Sequence, residues 1–242
     1  MEIIVVKDYS KMSKVAANLI AEEVKANPQA VLGLATGGTP EGIYRELVNM
    51  NKTDNVDFSE VTTVNLDEYI GLPGDHPQSY RYFMDDKLFN HININKERTF
   101  VPNGLAADIN EEGKNYDKMI DGLGGIDIQL LGIGNNGHIA FNEPDEYLVA
   151  GTHLTSLTEN TIKANARFFD SIDEVPTTAI TMGLGQIMKS KKILMVASGE
   201  GKAKVVKGLV SGKITPLNPA TMLQMHRDVT LVIDEVAARL IK

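Results

Sequence analysis

Seven short apolar runs, at residues 2–6, 31–35, 61–66, 127–133, 178–182, 192–197 and 229–233, alternate with stretches of helical period. No other feature restricts the fold as much. The helical stretches carry the spacing of a one-sided apolar stripe, as in Met12, Val15, Ala16, Leu19, Ile20 and Val24 after a capping Ser10. Strand and helix in alternation predict parallel strands joined by crossovers, with helices on both faces of the sheet. At 242 residues and 43% hydrophobic content, one α/β domain with an ordinary core is the simplest organisation.

The fourth run breaks into Gly132, Gly134 and Gly137 and then delivers His138 and Glu143. Glycines at a strand end allow sharp turns over the carboxyl edge of the sheet, where open α/β sheets bind ligands. The same glycines match the dinucleotide fingerprint, but its context is missing. Pro144 follows within seven residues where a helix is required, and no second strand ending in an acid lies about 20 residues on. His138 and Glu143, five apart, would diverge on a helix. Pro144 favours an extended Glu143, so a turn over 138–143 is expected to fold the carboxylate back on the imidazole. Such a pair suits proton transfer near neutral pH.

Three further segments are candidates for the same site. The second run leads into Thr36, Gly37, Gly38 and Thr39, with Thr39 placed as an N-cap and Pro40 as the first helical residue. A glycine pair before a helix exposes backbone N–H groups and fits a phosphate cradle, and it fits an ordinary tight turn equally well. The third run ends in Asp67-Glu68-Tyr69. Side chains alternate along a strand, so only one of the two carboxylates is a ligand candidate, and a surface turn is the alternative. Lys202 stands in the first turn of a predicted helix, against the dipole preference for acids, which points to a bound anion nearby. Residues 145–170 are polar and irregular and would suit a lid that carries Arg167.

Composition narrows the chemistry. The net charge of -8 with scattered Lys and Arg offers no basic stripe for nucleic acid. The absence of cysteine removes disulfides, thiol nucleophiles and thiolate metal sites. His76, His91, His138, His153 and His226 show no metal-ligand spacing. No leader pattern or membrane-length apolar run is present, so no membrane partner and a cytoplasmic location are expected.

Four motifs in order carry a resemblance over nearly the whole chain: Thr36-Gly37-Gly38-Thr39-Pro40, Asn65-Leu66-Asp67-Glu68-Tyr69, residues 134–144 (Gly-Asn-Asn-Gly-His-Ile-Ala-Phe-Asn-Glu-Pro) and Asn165-Ala166-Arg167-Phe168-Phe169. Together they closely resemble the glucosamine-6-phosphate deaminase family. The resemblance implies a Rossmann-like three-layer α/β/α fold, no metal or cofactor, and conversion of glucosamine 6-phosphate and water to fructose 6-phosphate and ammonium in amino-sugar catabolism. It further implies that Asp67 is the base moving a proton from C2 to C1, that His138 opens the sugar ring with Glu143 as its partner, and that Thr36 to Thr39, Arg167 and Lys202 hold the phosphate. Many relatives carry aspartate two residues before the histidine. Here Asn136 can position but cannot relay a proton. Some members are hexamers activated by N-acetylglucosamine 6-phosphate; His153 and Thr155 stand where those have a basic pocket, so no such activation is expected, and either a monomer or a homo-oligomer fits. The competing readings are a 6-phosphogluconolactonase-like hydrolase and a non-catalytic sugar-phosphate sensor.

Overall fold

The computed structural model describes residues 1–166, 169 and 171–241. In chain order its strands and α-helices are β1 (Glu2–Val6), α1 (Tyr9–Ala26), β2 (Val31–Leu34), α2 (Glu41–Thr53), β3 (Thr62–Asn65), β4 (Asp67–Tyr69), α3 (Tyr80–Lys87), β5 (Thr99–Phe100), α4 (Ile109–Gly122), β6 (Ile128–Leu131), β7 (His153–Ser156), α5 (Glu159–Asn165), β8 (Thr178–Thr181), α6 (Leu184–Met188), β9 (Lys192–Ala197), α7 (Ala203–Leu209) and β10 (Val229–Asp234). Among the described residues, seven strands form a sheet in the order β1-β10-β9-β6-β2-β3-β5. All its pairings are parallel.

The order explains where a ligand can sit. From β2 the chain builds outward through β3 and β5, whereas from β6 it builds the other way through β9 and β10. The crevice lies where these directions diverge, between the carboxyl ends of β2 and β6. Every residue of β2, β3 and β6 is buried, as strands covered on both faces must be, while the edge strand β1 leaves Ile3 and Val5 exposed. Two buried phenols hold the strand ends in place. Tyr44 of α2 donates to the Ala35 carbonyl, and Tyr116 of α4 donates to the carbonyls of Asn65 at 2.8 Å and Phe100 at 3.2 Å. Each such bond contributes about 1 kcal/mol and fixes a point from which a site loop departs.

Several local expectations are corrected. The run at 178–182 does not join the parallel sheet; β8 pairs antiparallel with both β4 and β7 in a second, three-stranded sheet. The seventh place in the main sheet goes to β5, whose two residues are too few to leave an apolar run. Residues 145–170 are not wholly irregular, since they contain β7 and α5. β7 was hidden because His153 to Ser156 alternate only between partly buried and exposed, with no apolar face. Asp8, not Ser10, caps α1 by accepting from the Lys11 N–H at 2.9 Å. Pro40 rather than Thr39 is the N-cap of α2, and no side chain caps that end.

Candidate active site

The loop after β6 folds tightly on itself. Gly134 N donates to the His138 carbonyl at 2.9 Å and Gly137 N donates to Gly134 O at 3.0 Å. A methyl group on Gly134 would come within 2.4 Å of the His138 ring, so only glycine lets the imidazole lie over this turn. Beyond the ring, Asn142 Nδ2 donates to the Ile139 carbonyl at 3.0 Å and the Met182 carbonyl at 2.8 Å. Phe141 N donates to Thr181 Oγ1 at 3.0 Å, which ties the loop to the end of β8. Sequence reading did not single out Asn142 or Thr181 for these ties, which join the loop to residues forty positions on.

The turn brings Glu143 back to His138, with Oε2 3.2 Å from Nδ1. The angle is poor for a hydrogen bond, so the two are coupled mainly as charge and ring. Asn136 Nδ2 donates to Glu143 Oε2 at 2.6 Å, while its Oδ1 accepts from the His138 backbone N–H at 3.2 Å. Asn136 therefore braces the carboxylate and the backbone; neither of these bonds goes to the imidazole. Burial pushes the Glu143 carboxyl up, but His138, Thr161 and Asn136 outweigh it and hold it at about 2. It is an anion throughout the neutral range.

Asp67 and Glu68 open β4 and point to different surroundings. Asp67 is 6% exposed, and burial, with the charge of Glu68 added, raises its carboxyl to about 8. Glu68 turns into the protein and accepts from the backbone N–H groups of Tyr69 at 2.8 Å, Tyr80 at 2.9 Å and Arg81 at 3.0 Å. It satisfies the first N–H groups of α3, where a carboxylate is favoured. Burial raises its carboxyl as well, with those three bonds working against the rise.

At the end of β2, Gly37 has a φ of 96°, a left-handed conformation that glycine adopts without strain. The Tyr9 hydroxyl approaches the carbonyls of Gly38 and Thr39, both at 3.1 Å, and accepts from Gly42 N at 2.8 Å. Lys202, in a short 3-10 turn (Glu200–Lys202), reaches across so that Nζ donates to the Ile133 carbonyl at 2.7 Å. Arg167 lies outside the described residues.

Thr36 to Thr39, Lys202, Asp67, Asn136 and His138 line one cavity of ≈ 520 Å³. The volume is in the range of small-molecule sites. Glu143 is not on its wall and meets the cavity through the lining residues His138, Asn136 and Thr161. Tyr80 and Thr161 are lining residues that the sequence did not mark as site residues. Tyr80 packs 4.8 Å from Tyr69 and 6.1 Å from Phe141 between ring centroids, so its helical spacing concealed a wall position inside an aromatic cluster.

The family model for glucosamine-6-phosphate isomerases/6-phosphogluconolactonase matches residues 8–232. Over 242 residues, covering all of both chains, the sequence is 66% identical to a glucosamine-6-phosphate deaminase of Clostridium perfringens and 63% identical to one of Clostridium beijerinckii. A solved monomeric glucosamine-6-phosphate deaminase, 49% identical, superposes with a TM-score of 0.97 over 99% of this chain and 100% of its own. A 6-phosphogluconolactonase from Trypanosoma cruzi superposes with a TM-score of 0.78 over 100% of this chain and 97% of its own; at 19% identity it shows a common fold and nothing more.

Proposed function

The chain belongs to the glucosamine-6-phosphate isomerase/6-phosphogluconolactonase family, and from that membership we propose that it acts as a deaminase. It converts D-glucosamine 6-phosphate and water to D-fructose 6-phosphate and ammonium. The observation that carries this reading is the single cavity shared by a buried carboxyl, an imidazole backed by an anion, and a glycine turn with a lysine beside it. A linear hexose phosphate needs all three: a grip on the phosphate, an acid–base group for the ring, and a base for C2.

Phosphate binding falls to the N–H groups of 36–39 and to Lys202, with Arg167 proposed as a second cation. His138 gives a proton to the ring oxygen as O1 loses its own, and the ring opens to the aldehyde. Glu143, fixed as an anion, stabilises the charged imidazole during that exchange. Asp67 then takes the C2 proton and returns it to C1, passing through an enolamine. The resulting C2 imine adds water, and the carbinolamine expels ammonia to leave the ketone of fructose 6-phosphate.

A carboxyl held at about 8 is mostly protonated in the empty site at neutral pH. The substrate supplies the correction, because its C2 ammonium beside Asp67 favours the ionised carboxylate. Asp67 thus becomes a base when the amine arrives. His153 turns Nδ1 to the Gly151 carbonyl at 2.9 Å and Thr155 is neutral, which supports a protein working without a phosphorylated activator. The likeness to a monomeric deaminase supports action as a monomer. Incubation with glucosamine 6-phosphate, following ammonium and fructose 6-phosphate together, tests the reading; equimolar release is expected, and binding without release would overturn it.

A further inference from the structure

Two hydroxyls at the start of α5 take no part in the steps above, yet both converge on one oxygen of Glu143. Thr161 Oγ1 donates to Glu143 Oε1, and Thr158 Oγ1 lies 3.2 Å from the same oxygen and 3.1 Å from Thr161 Oγ1. Thr158 is also the N-cap of α5, accepting from Thr161 N at 3.3 Å. The other oxygen, Oε2, takes Asn136 Nδ2 at 2.6 Å and faces His138 Nδ1 at 3.2 Å. A carboxylate has about four acceptor positions, and this one has a neighbour for each.

Something other than the imidazole must aim this carboxylate, because Nδ1 makes no aligned bond to it. Asn136 holds Oε2 from the loop that also carries His138, so it cannot by itself fix Glu143 against rotation about Oε2. A bond to Oε1 from a different element does that. Thr161 can supply it, being 6% exposed, on the cavity wall and set by its neighbouring cap.

We propose that Thr161, supported by Thr158, is a positioning residue that holds Glu143 turned toward His138 for proton transfer at the sugar ring. The inference rests on the deaminase reading and adds a residue to it. The charged or titratable groups around Glu143 are few. His138 contacts it; Asn136, Thr158 and Thr161 are neutral; Asp145 and Glu146 follow in the chain and are exposed; Glu159 and Lys163 of α5 are exposed and pair with each other at 3.3 Å. Of these, the His138 contact and the Asn136 bond compete with the threonine in setting Glu143.

Thr161→Val removes the hydroxyl and keeps the shape, and Thr161→Ser restores it. With glucosamine 6-phosphate, the valine variant is expected to lose about tenfold in kcat, the size of one bond to a charged group, with KM within about twofold. Its acid limb of kcat moves to higher pH, and serine recovers most of both. Carboxyl 13C NMR reads the same interaction without substrate: Glu143 is expected to titrate at about 2 in the parent and higher in the valine variant. Unchanged kcat and pH profile in Thr161→Val, or a loss that serine does not restore, would overturn the proposal. Should the valine variant not fold, Thr158→Val is the second test, with the same direction and a smaller change expected, and an unmoved profile contradicting the proposal. Failure of the parent itself to release ammonium would sink the deaminase reading, while the NMR comparison would still decide the role of Thr161.

Discussion

Asp67 and Glu68 are consecutive residues of one three-residue strand, yet the first presents a buried carboxyl to the cavity and the second spends its own on three backbone N–H groups, two of them at the start of the neighbouring helix. Alternation along β4 separates them, and their fates differ because Glu68 meets backbone donors while Asp67 faces the cavity. The difference turns two similar carboxylates into a separable pair for experiment.

Glu68→Gln replaces an acceptor by an amide that presents a donor to one of those N–H groups. Loss of stability by about 1–3 kcal/mol is expected, the cost of leaving a buried donor unpaired. Urea denaturation measures it. The folded fraction should keep a kcat within about threefold of the parent, since Glu68 does not line the cavity and its charge is second to burial in setting Asp67.

Asp67→Asn should do the opposite. The folded pKa of Asp67, about 8, lies above the ordinary carboxylate range, so folding takes up a proton between the two values. The stability this group contributes is full below about pH 4 and is lost progressively as pH rises through about 8. The Tm of Asp67→Asn relative to the parent is therefore expected to rise from about pH 5 to about pH 8 and to level off above. A gap that stays constant over that window would show that Asp67 is not protonated in the folded protein.

Asn136→Asp puts a second carboxyl where an amide now donates to Glu143 at 2.6 Å. Two acceptors at that distance share a proton, which lifts the pair above the value of about 2 that Glu143 holds beside the amide. The acid limb of the kcat profile should shift to higher pH. Superimposable profiles would mean that Glu143 does not govern the ring.

Gly137→Ala tests the loop that carries His138. Gly137 has a φ of 91°, and an added Cβ would stand 2.1 Å from Asn218 Oδ1. A loss of about 1–3 kcal/mol from the strained backbone and the clash is expected in thermal or urea unfolding, with reduced kcat from a displaced imidazole. Full stability with full activity would contradict the geometry described for this turn.

How legible these features were in the sequence follows from how local they are. Buried parallel strands such as β2 and β9 announce themselves as unbroken apolar runs, and the return of Glu143 to His138 follows from a proline and three glycines within a dozen or so residues. The second sheet was not legible. β4 and β7 have no apolar face of their own, and β8 looks like a strand of the main sheet until its partners are known. For the same reason Thr158 and Thr161 fell within a stretch read as polar and irregular, though their hydroxyls end on a carboxylate fifteen and eighteen residues away. Tyr80 was not legible as a wall residue, because a cavity wall and a core face have the same helical period. Asn136, next but one to the histidine in sequence, was expected to steady the ring; its bonds go to Glu143 and to the backbone instead.

Everything proposed for the reaction depends most on Asp67 handling the proton between C2 and C1. Hydrogen exchange at C2 of glucosamine 6-phosphate in deuterated buffer, followed by NMR for the parent and for Asp67→Asn, reads that step alone. The variant is expected to bind the substrate with a dissociation constant near that of the parent and to lose exchange by a factor of at least about 100, the scale of a missing general base. Exchange at the parent's rate in the variant would contradict it.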